Sequence, residues 1–90
     1  MQKSDDRYLL GVKLRWANLS HASLRRCDLR RSSFRGTNLT LATLAGSQLT
    51  KADFDHAKLI EADLSGATLS KASFGGSIST ISSRAVRLLS

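Results

Sequence analysis

Proline is absent from the 90 residues, and the chain has one cysteine and five aromatic residues. The single cysteine, Cys27, excludes an internal disulfide framework and a metal site built from cysteines alone. No apolar run approaches the roughly 18 residues that a transmembrane helix needs. The first residues also lack the apolar segment of a signal peptide, so we expect a cytoplasmic protein.

Acidic side chains are few, with 7 Asp and Glu against 14 Lys and Arg, and the formal net charge is +7. Apolar residues make up 41% and charged residues 23% of the chain, as is usual for a folded protein. The length corresponds to one small domain. A compact core of that size is only marginally stable, which suggests that another kind of architecture holds the chain together.

A period of five residues runs through most of the sequence. Leu or Phe recurs at every fifth position, with a small residue two places before it, in thirteen repeats that cover residues 12–76. Neither an α-helix nor a straight strand places every fifth side chain on one side. A chain that turns after every five residues does so, which predicts a β-helix solenoid. The predicted structural core consists of Leu14, Leu19, Leu24, Leu29, Phe34, Leu39, Leu44, Leu49, Phe54, Leu59, Leu64, Leu69 and Phe74.

The three phenylalanines of this set indicate the length of one coil. Phe34, Phe54 and Phe74 are 20 residues apart, so stacking of Phe on Phe requires coils of four five-residue units. Residues 20 apart are then neighbours on the surface. On this basis we expect the Trp16 ring to lie over Gly36.

Individual units also resemble a known family. The segments ANLSH (17–21), ADFDH (52–56) and ADLSG (62–66) are similar to the A(D/N)LXX units of pentapeptide-repeat proteins. The resemblance implies an all-β fold, a right-handed quadrilateral β-helix of about 3.25 coils over residues 12–76. We expect residues 1–11 to form an N-terminal cap and residues 77–90 a C-terminal cap or tail. The sequence does not decide whether that tail is a short helix or extended.

Each position of the unit has an expected role. The central Leu or Phe fills the interior, the small residue fits near a corner, and the Asn or Asp between them caps a turn. An interior filled in this way leaves no substrate cavity. His21 and His56 fall on different faces, and no Ser, His and Asp are arranged as a triad. We therefore expect no enzyme, with no catalytic, cofactor-binding or metal site. The carboxylates Asp53, Asp55, Glu61 and Asp63 are expected to be solvated.

The cations are concentrated near the start of the chain. Residues 1–36 hold nine basic and three acidic side chains, and in the 20-residue map Arg31, Lys51 and Lys71 form a vertical column. This surface either binds an anionic partner or is a solvated polar face that keeps the solenoid soluble. The candidate interaction surface comprises Arg15, Arg25, Arg26, Arg30, Arg31, Arg35, Lys51 and Lys71.

These features favour a non-enzymatic binding or structural module. Its expected partner is a macromolecule, in the first place a protein with anionic character. A nucleic acid would be bound without sequence specificity, because no element reaches base edges. The resemblance also suggests an alternative, a DNA-mimic protein that protects gyrase, but such mimicry requires negative charge and the chain carries +7. The exposed pair Leu41 and Ile60 is a second candidate patch, and the chain is expected as a monomer or an end-to-end homodimer.

Overall fold

The computed structural model describes residues 5–76, in which one local conformation recurs every five residues. In each complete unit the residue before the central Leu or Phe forms a single-residue parallel bridge. Within this range there is no α-helix and no strand longer than one bridged residue. The bridges join Tyr8 to Asp28, Lys13 to Ser33, Asn18 to Asn38, Ser23 to Thr43, Asp28 to Gln48, Ser33 to Asp53, Asn38 to Lys58, Thr43 to Asp63, Gln48 to Thr68 and Asp53 to Ser73.

Every bridge spans 20 residues, and the bridges form four columns around the axis. The chain is therefore a β-helix in which successive coils pair in parallel. The phenylalanine spacing has the expected consequence. The rings of Phe34 and Phe54 stack at 4.9 Å between centroids, and those of Phe54 and Phe74 at 5.0 Å, with 3° between the planes in both pairs.

A β-turn closes every unit. The carbonyl of the central residue accepts a hydrogen bond from the N–H group three residues later, as from Val12 to Leu9 at 3.1 Å. The third turn residue has a φ between +56° and +73° at every fifth position from Asp6 to Gly76, which includes five glycines and ten other residues. The second turn residue is not in this region, which is the sign pattern of a type II turn.

Nearly all backbone N–H groups of an inner unit have partners. In the unit around Phe34, Ser33 donates to Val12, and Phe34 and Gly36 donate to Asp53 and Asp55, at 2.7–2.9 Å. A fourth N–H group donates the hydrogen bond that closes the turn. The N–H group of the residue after the central one then has no backbone partner.

Asn and Asp side chains satisfy this remaining N–H group. Ser20 donates its N–H to Oδ1 of Asn18 and Thr40 donates to Oδ1 of Asn38, both at 3.1 Å. The turn-capping role expected for the residue before the central one is confirmed at these positions.

The central residues fill the interior. Ten of the thirteen are buried, and Leu14, Leu69 and Phe74, near the ends of the described range, are half-buried against them. Nine of the thirteen small residues beside them are buried too, and the buried polar ones have hydrogen-bond partners. The hydroxyls of Ser32 and Ser47 donate to the carbonyls of Leu29 and Leu24 at 2.6 Å.

Residues 5–11 have the same turn, bridge and inter-coil bonds as the units that follow. The expected C-terminal cap or tail at 77–90 lies outside the described residues. The division into cap, β-helix and tail stays a prediction.

Candidate functional site: the basic surface

Four arginines of the basic surface occupy the two outward turn positions that follow a central residue. Arg25 and Arg26 follow Leu24, and Arg30 and Arg31 follow Leu29. All four are exposed, because the turns direct their side chains away from the filled interior. Inter-coil hydrogen bonds hold the turns in place, with Arg26 and Arg31 donating N–H groups to Ala45 and Thr50 at 2.9 Å.

Arg26 is paired with a carboxylate of the preceding coil. Its Nε and Nη2 donate to the two carboxylate oxygens of Asp6 at 2.7 and 3.1 Å. This bidentate hydrogen bond from Arg26 holds the pKa of Asp6 below its ordinary value. The Asp6 carboxylate therefore offsets part of the positive charge that Arg26 presents to a partner.

Arg30 is paired within its own unit. Its Nε and Nη2 each donate to an oxygen of Asp28 at 2.8 Å. The pKa of Asp28 is lowered chiefly by this hydrogen bond. Asp28 is therefore the counter-ion of Arg30, and it does not indicate a separate acidic site.

Arg35 faces the carboxylates of the next coil. Its Nη1 lies 3.3 Å from Oδ2 of Asp55 and 3.9 Å from Oδ2 of Asp53. Asp55 also accepts hydrogen bonds from the hydroxyl of Ser73 and, at 2.7 Å, from the N–H of Gly75. The Ser73 hydroxyl, then the Gly75 N–H and the charge of Arg35, hold the pKa of Asp55 below its ordinary value.

The other predicted cations differ in their contacts. Arg15 donates from Nε to Oγ of Ser33 at 3.0 Å, which leaves its charge uncompensated. Within residues 5–76, the side chains of Arg25, Arg31, Lys51 and Lys71 make no ion pair. The predicted surface thus consists of three arginines with counter-ions and of other cations that make no ion pair within residues 5–76.

The expected position of Trp16 is confirmed. A Cβ built on Gly36 would lie 2.2 Å from Cε3 of Trp16, so the indole lies directly over that glycine. The ring is nevertheless 71% exposed.

Leu41 and Ile60 are also exposed. They are adjacent, because Leu41 donates its N–H to the Ile60 carbonyl at 2.9 Å.

Of the carboxylates Asp53, Asp55, Glu61 and Asp63, which we expected to be solvated rather than catalytic, three accept hydrogen bonds from turn N–H groups. Asp53 and Asp63 each accept the N–H of the residue two positions later, at 2.9 Å, while Asp55 links two coils. The cause is the N–H group that each turn leaves without a backbone partner. Only Glu61 of the four is exposed.

The counter-ions Asp6, Asp28 and Asp55 were missed as parts of the basic surface. Two of the pairs, Asp6 with Arg26 and Arg35 with Asp55, join residues 20 apart, so the coil length contains the signal. Buried Cys27 takes an inward small position, and its N–H donates to the Ser47 hydroxyl at 3.0 Å. The chemistry that this surface supports is non-covalent contact with an anion.

The sequence profile of the pentapeptide repeats matches residues 8–46 and 47–77, in eight copies. The solved pentapeptide repeat protein Rfr23 from the cyanobacterium Cyanothece 51142 is 28% identical over 74% of this chain and 46% of its own, with a TM-score of 0.72. The pentapeptide repeat protein alr5209 from Nostoc Pcc 7120 is 35% identical over 79% of this chain and 58% of its own, with a TM-score of 0.73.

The chain thus spans about half the length of each of these two proteins. No curated protein matches it. In the described part of the chain, no helix has the length and apolar character needed to cross a membrane.

Proposed function

Because the chain belongs to the pentapeptide-repeat family, we propose that it is a non-enzymatic binding module that presents a rigid β-helix surface to an anionic macromolecule. The match is to a family of structural repeat proteins, and no catalytic family is indicated. The observation that carries the proposal is the set of exposed cations that make no ion pair within residues 5–76, above all Arg25 and Arg31.

Rigidity supports this function. The turns that carry Arg25 and Arg31 are hydrogen-bonded to the preceding coil, in the units that contain Asp5 and Tyr8, and also to the next coil. Leu29 and Phe34 fill the interior beneath these turns. Cations held on such a frame lose little backbone freedom when a partner binds, so less of the binding free energy is lost to ordering.

The proposal has finer features. A right-handed course of the coils follows from the resemblance, and the sequence itself predicts about 3.25 coils over residues 12–76, a cytoplasmic location, and a monomer or end-to-end homodimer. Each stays a prediction. The bridges between residues 20 apart support the coil count, since 65 residues divided by 20 gives that value.

Titration of the full chain with three fluorescent anionic probes tests the function. The probes are an oligonucleotide, vesicles with anionic lipid, and an acidic peptide, each at about 50 and 200 mM salt. If three to four cations contact phosphates, the oligonucleotide affinity should fall roughly 40–150-fold between these salt concentrations.

Single substitutions locate the binding surface. Arg25→Ser and Arg31→Ser should each weaken binding, whereas Lys58→Ser should have little effect, because Lys58 is an equally exposed cation on another bridge column. No binding to any probe at about 50 mM salt would refute the proposal. Equal losses of affinity in all three variants would show that binding depends on the net charge alone.

A further inference from the structure

Arg31, Lys51 and Lys71 form a cationic column along one edge of the β-helix. All three occupy the third turn position, in three successive coils, and all are exposed. Backbone hydrogen bonds hold these turns on top of one another, from Arg31 N–H to Thr50 and from Lys51 N–H to Ser70, both at 2.9 Å. Within residues 5–76 none of the three has an ion pair.

The other three edges of the coil differ from this one because each carries an acid. Asp6 pairs with Arg26 on one, Asp55 faces Arg35 on another, and Glu61 stands on the third. The two carboxylates that are nearest to the cationic column in the sequence have other hydrogen-bond partners.

Those two carboxylates are Asp28, which binds Arg30, and Asp53, which caps the N–H of Asp55 on the next face. Like charges in facing positions destabilise a sheet. The three cations repeat about every 5 Å along the axis, and an external row of anions would lower their mutual repulsion.

The spacing of the column limits which row of anions fits. The stacked phenylalanine rings give a rise of 4.9–5.0 Å per coil, so three cations span about 10 Å. An α-helix with one acidic residue per turn spaces its charges by about 5.4 Å, or about 11 Å for three. An extended strand that presents every second residue spaces three charges over about 13 Å.

The geometry points to a partner α-helix that carries Asp or Glu once per turn and lies along Arg31, Lys51 and Lys71, parallel to the solenoid axis. This inference rests on the proposed function and makes its partner a protein. The two periods differ by only about 0.5 Å per step, so each carboxylate has its own cation over three successive turns.

Two designed helical peptides of identical composition test the inference. One carries four Glu on a single face, one per turn, and the other distributes the same four Glu around the helix. The same covalent i, i+4 staple keeps both helical, because Glu residues four apart otherwise destabilise a helix. An extended acidic peptide of equal charge and a single-stranded oligonucleotide complete the set, and fluorescence anisotropy measures binding to the full chain.

The single-face peptide should bind at least tenfold more tightly than the distributed one and more tightly than the two other probes. Lys51→Ser should remove most of this preference, whereas Lys58→Ser should keep it. Both substitutions remove one exposed lysine, and circular dichroism checks that both variants are folded.

The remaining outcomes are distinguishable. Equal affinity for the two helical peptides overturns the inference, and tighter binding of the oligonucleotide or the extended peptide does so as well. In those cases dependence on Arg25 and Arg31 would leave the proposed function intact. No binding to any probe at about 50 mM salt would overturn both.

Discussion

Side chains at the third turn position use the space above the next coil. The Trp16 ring lies over Gly36, the His56 ring over Gly76, and the Arg26 stem meets Gly46. Glycine therefore serves two purposes at these positions, a positive φ and room for a large neighbour. The contact of Trp16 was predictable because it depends only on the 20-residue coil, which the phenylalanine spacing reveals.

Gly36→Ala should be clearly more destabilising than Gly11→Ala. Both glycines have positive φ, +67° and +71°, but a Cβ at Gly36 meets the Trp16 ring at 2.2 Å while nothing lies within 4 Å at Gly11. We expect Gly11→Ala to cost about 1 kcal/mol from backbone strain. Gly36→Ala should cost a further 1–3 kcal/mol or so from overpacking. Urea unfolding measures both.

The double variant Trp16→Ala, Gly36→Ala provides the control. It should recover most of the additional loss, because the clash needs both side chains. Equal stability of the two glycine variants would show that the indole does not occupy this place in solution.

Asp55 should make the fold sensitive to acid. Its pKa in the folded protein lies below the ordinary 3.8, chiefly because Ser73 and the Gly75 N–H donate to the ionised form. Its stabilising contribution is therefore present above about pH 4 and disappears as the pH falls through the lower folded-state pKa. Asp55→Asn should lose less stability than the wild type between about pH 5 and pH 2. Parallel pH profiles of the two proteins, measured by thermal unfolding, would contradict this account.

At the scale of the repeating unit, inward and outward positions differ in how well the sequence predicts them. Burial repeats with the period of five, so the interior could be derived from the pattern of Leu, Phe and small residues. The capping role of Asn18 and Asn38 followed from local turn chemistry. The ion pairs did not follow, because long outward side chains choose among several neighbours, as Arg35 does between Asp53 and Asp55.

Removing one turn cap should cost a measurable amount. Oδ1 of Asn38 accepts hydrogen bonds from the N–H of Thr40 at 3.1 Å and from its hydroxyl at 2.7 Å. Asn38→Ala should therefore lose about 1 kcal/mol of unfolding free energy. Gln48→Ala is the matched control, since Gln48 stands at the same position of its unit and its side chain makes no hydrogen bond with the described residues. A loss as large at Gln48 would refute the capping role.

Two core substitutions test the register of the unit. Leu44 is fully buried, so Leu44→Ala should cost about 2–5 kcal/mol through a cavity. Ala62 is 2% exposed near a corner, so Ala62→Leu should cost about 1–3 kcal/mol through overpacking. Calorimetry of both variants measures the effect. A melting temperature equal to that of the wild type in either would place that side chain outside the core.

At the scale of the whole molecule, charge is distributed unevenly along the axis. Residues 1–36 carry nine cations and three acids, whereas residues 37–76 carry three cations and four acids. The sequence predicts this imbalance because it needs only the residue count. The structure adds that Asp6, Asp28 and Asp55 pair with Arg26, Arg30 and Arg35, so the surface available to a partner is centred on Arg25, Arg31 and the two lysines above Arg31.

An exchange variant tests most directly whether the position of these cations, rather than their number, makes the binding surface. It swaps Arg31 with His21 and Lys51 with Leu41, all of which are exposed third turn residues with φ near +60°. Composition and net charge stay the same. We predict that the exchange variant elutes from heparin at a clearly lower salt concentration than the wild type, while circular dichroism shows that it remains folded. Elution of both proteins at the same salt concentration would contradict the claim that this surface is a binding site.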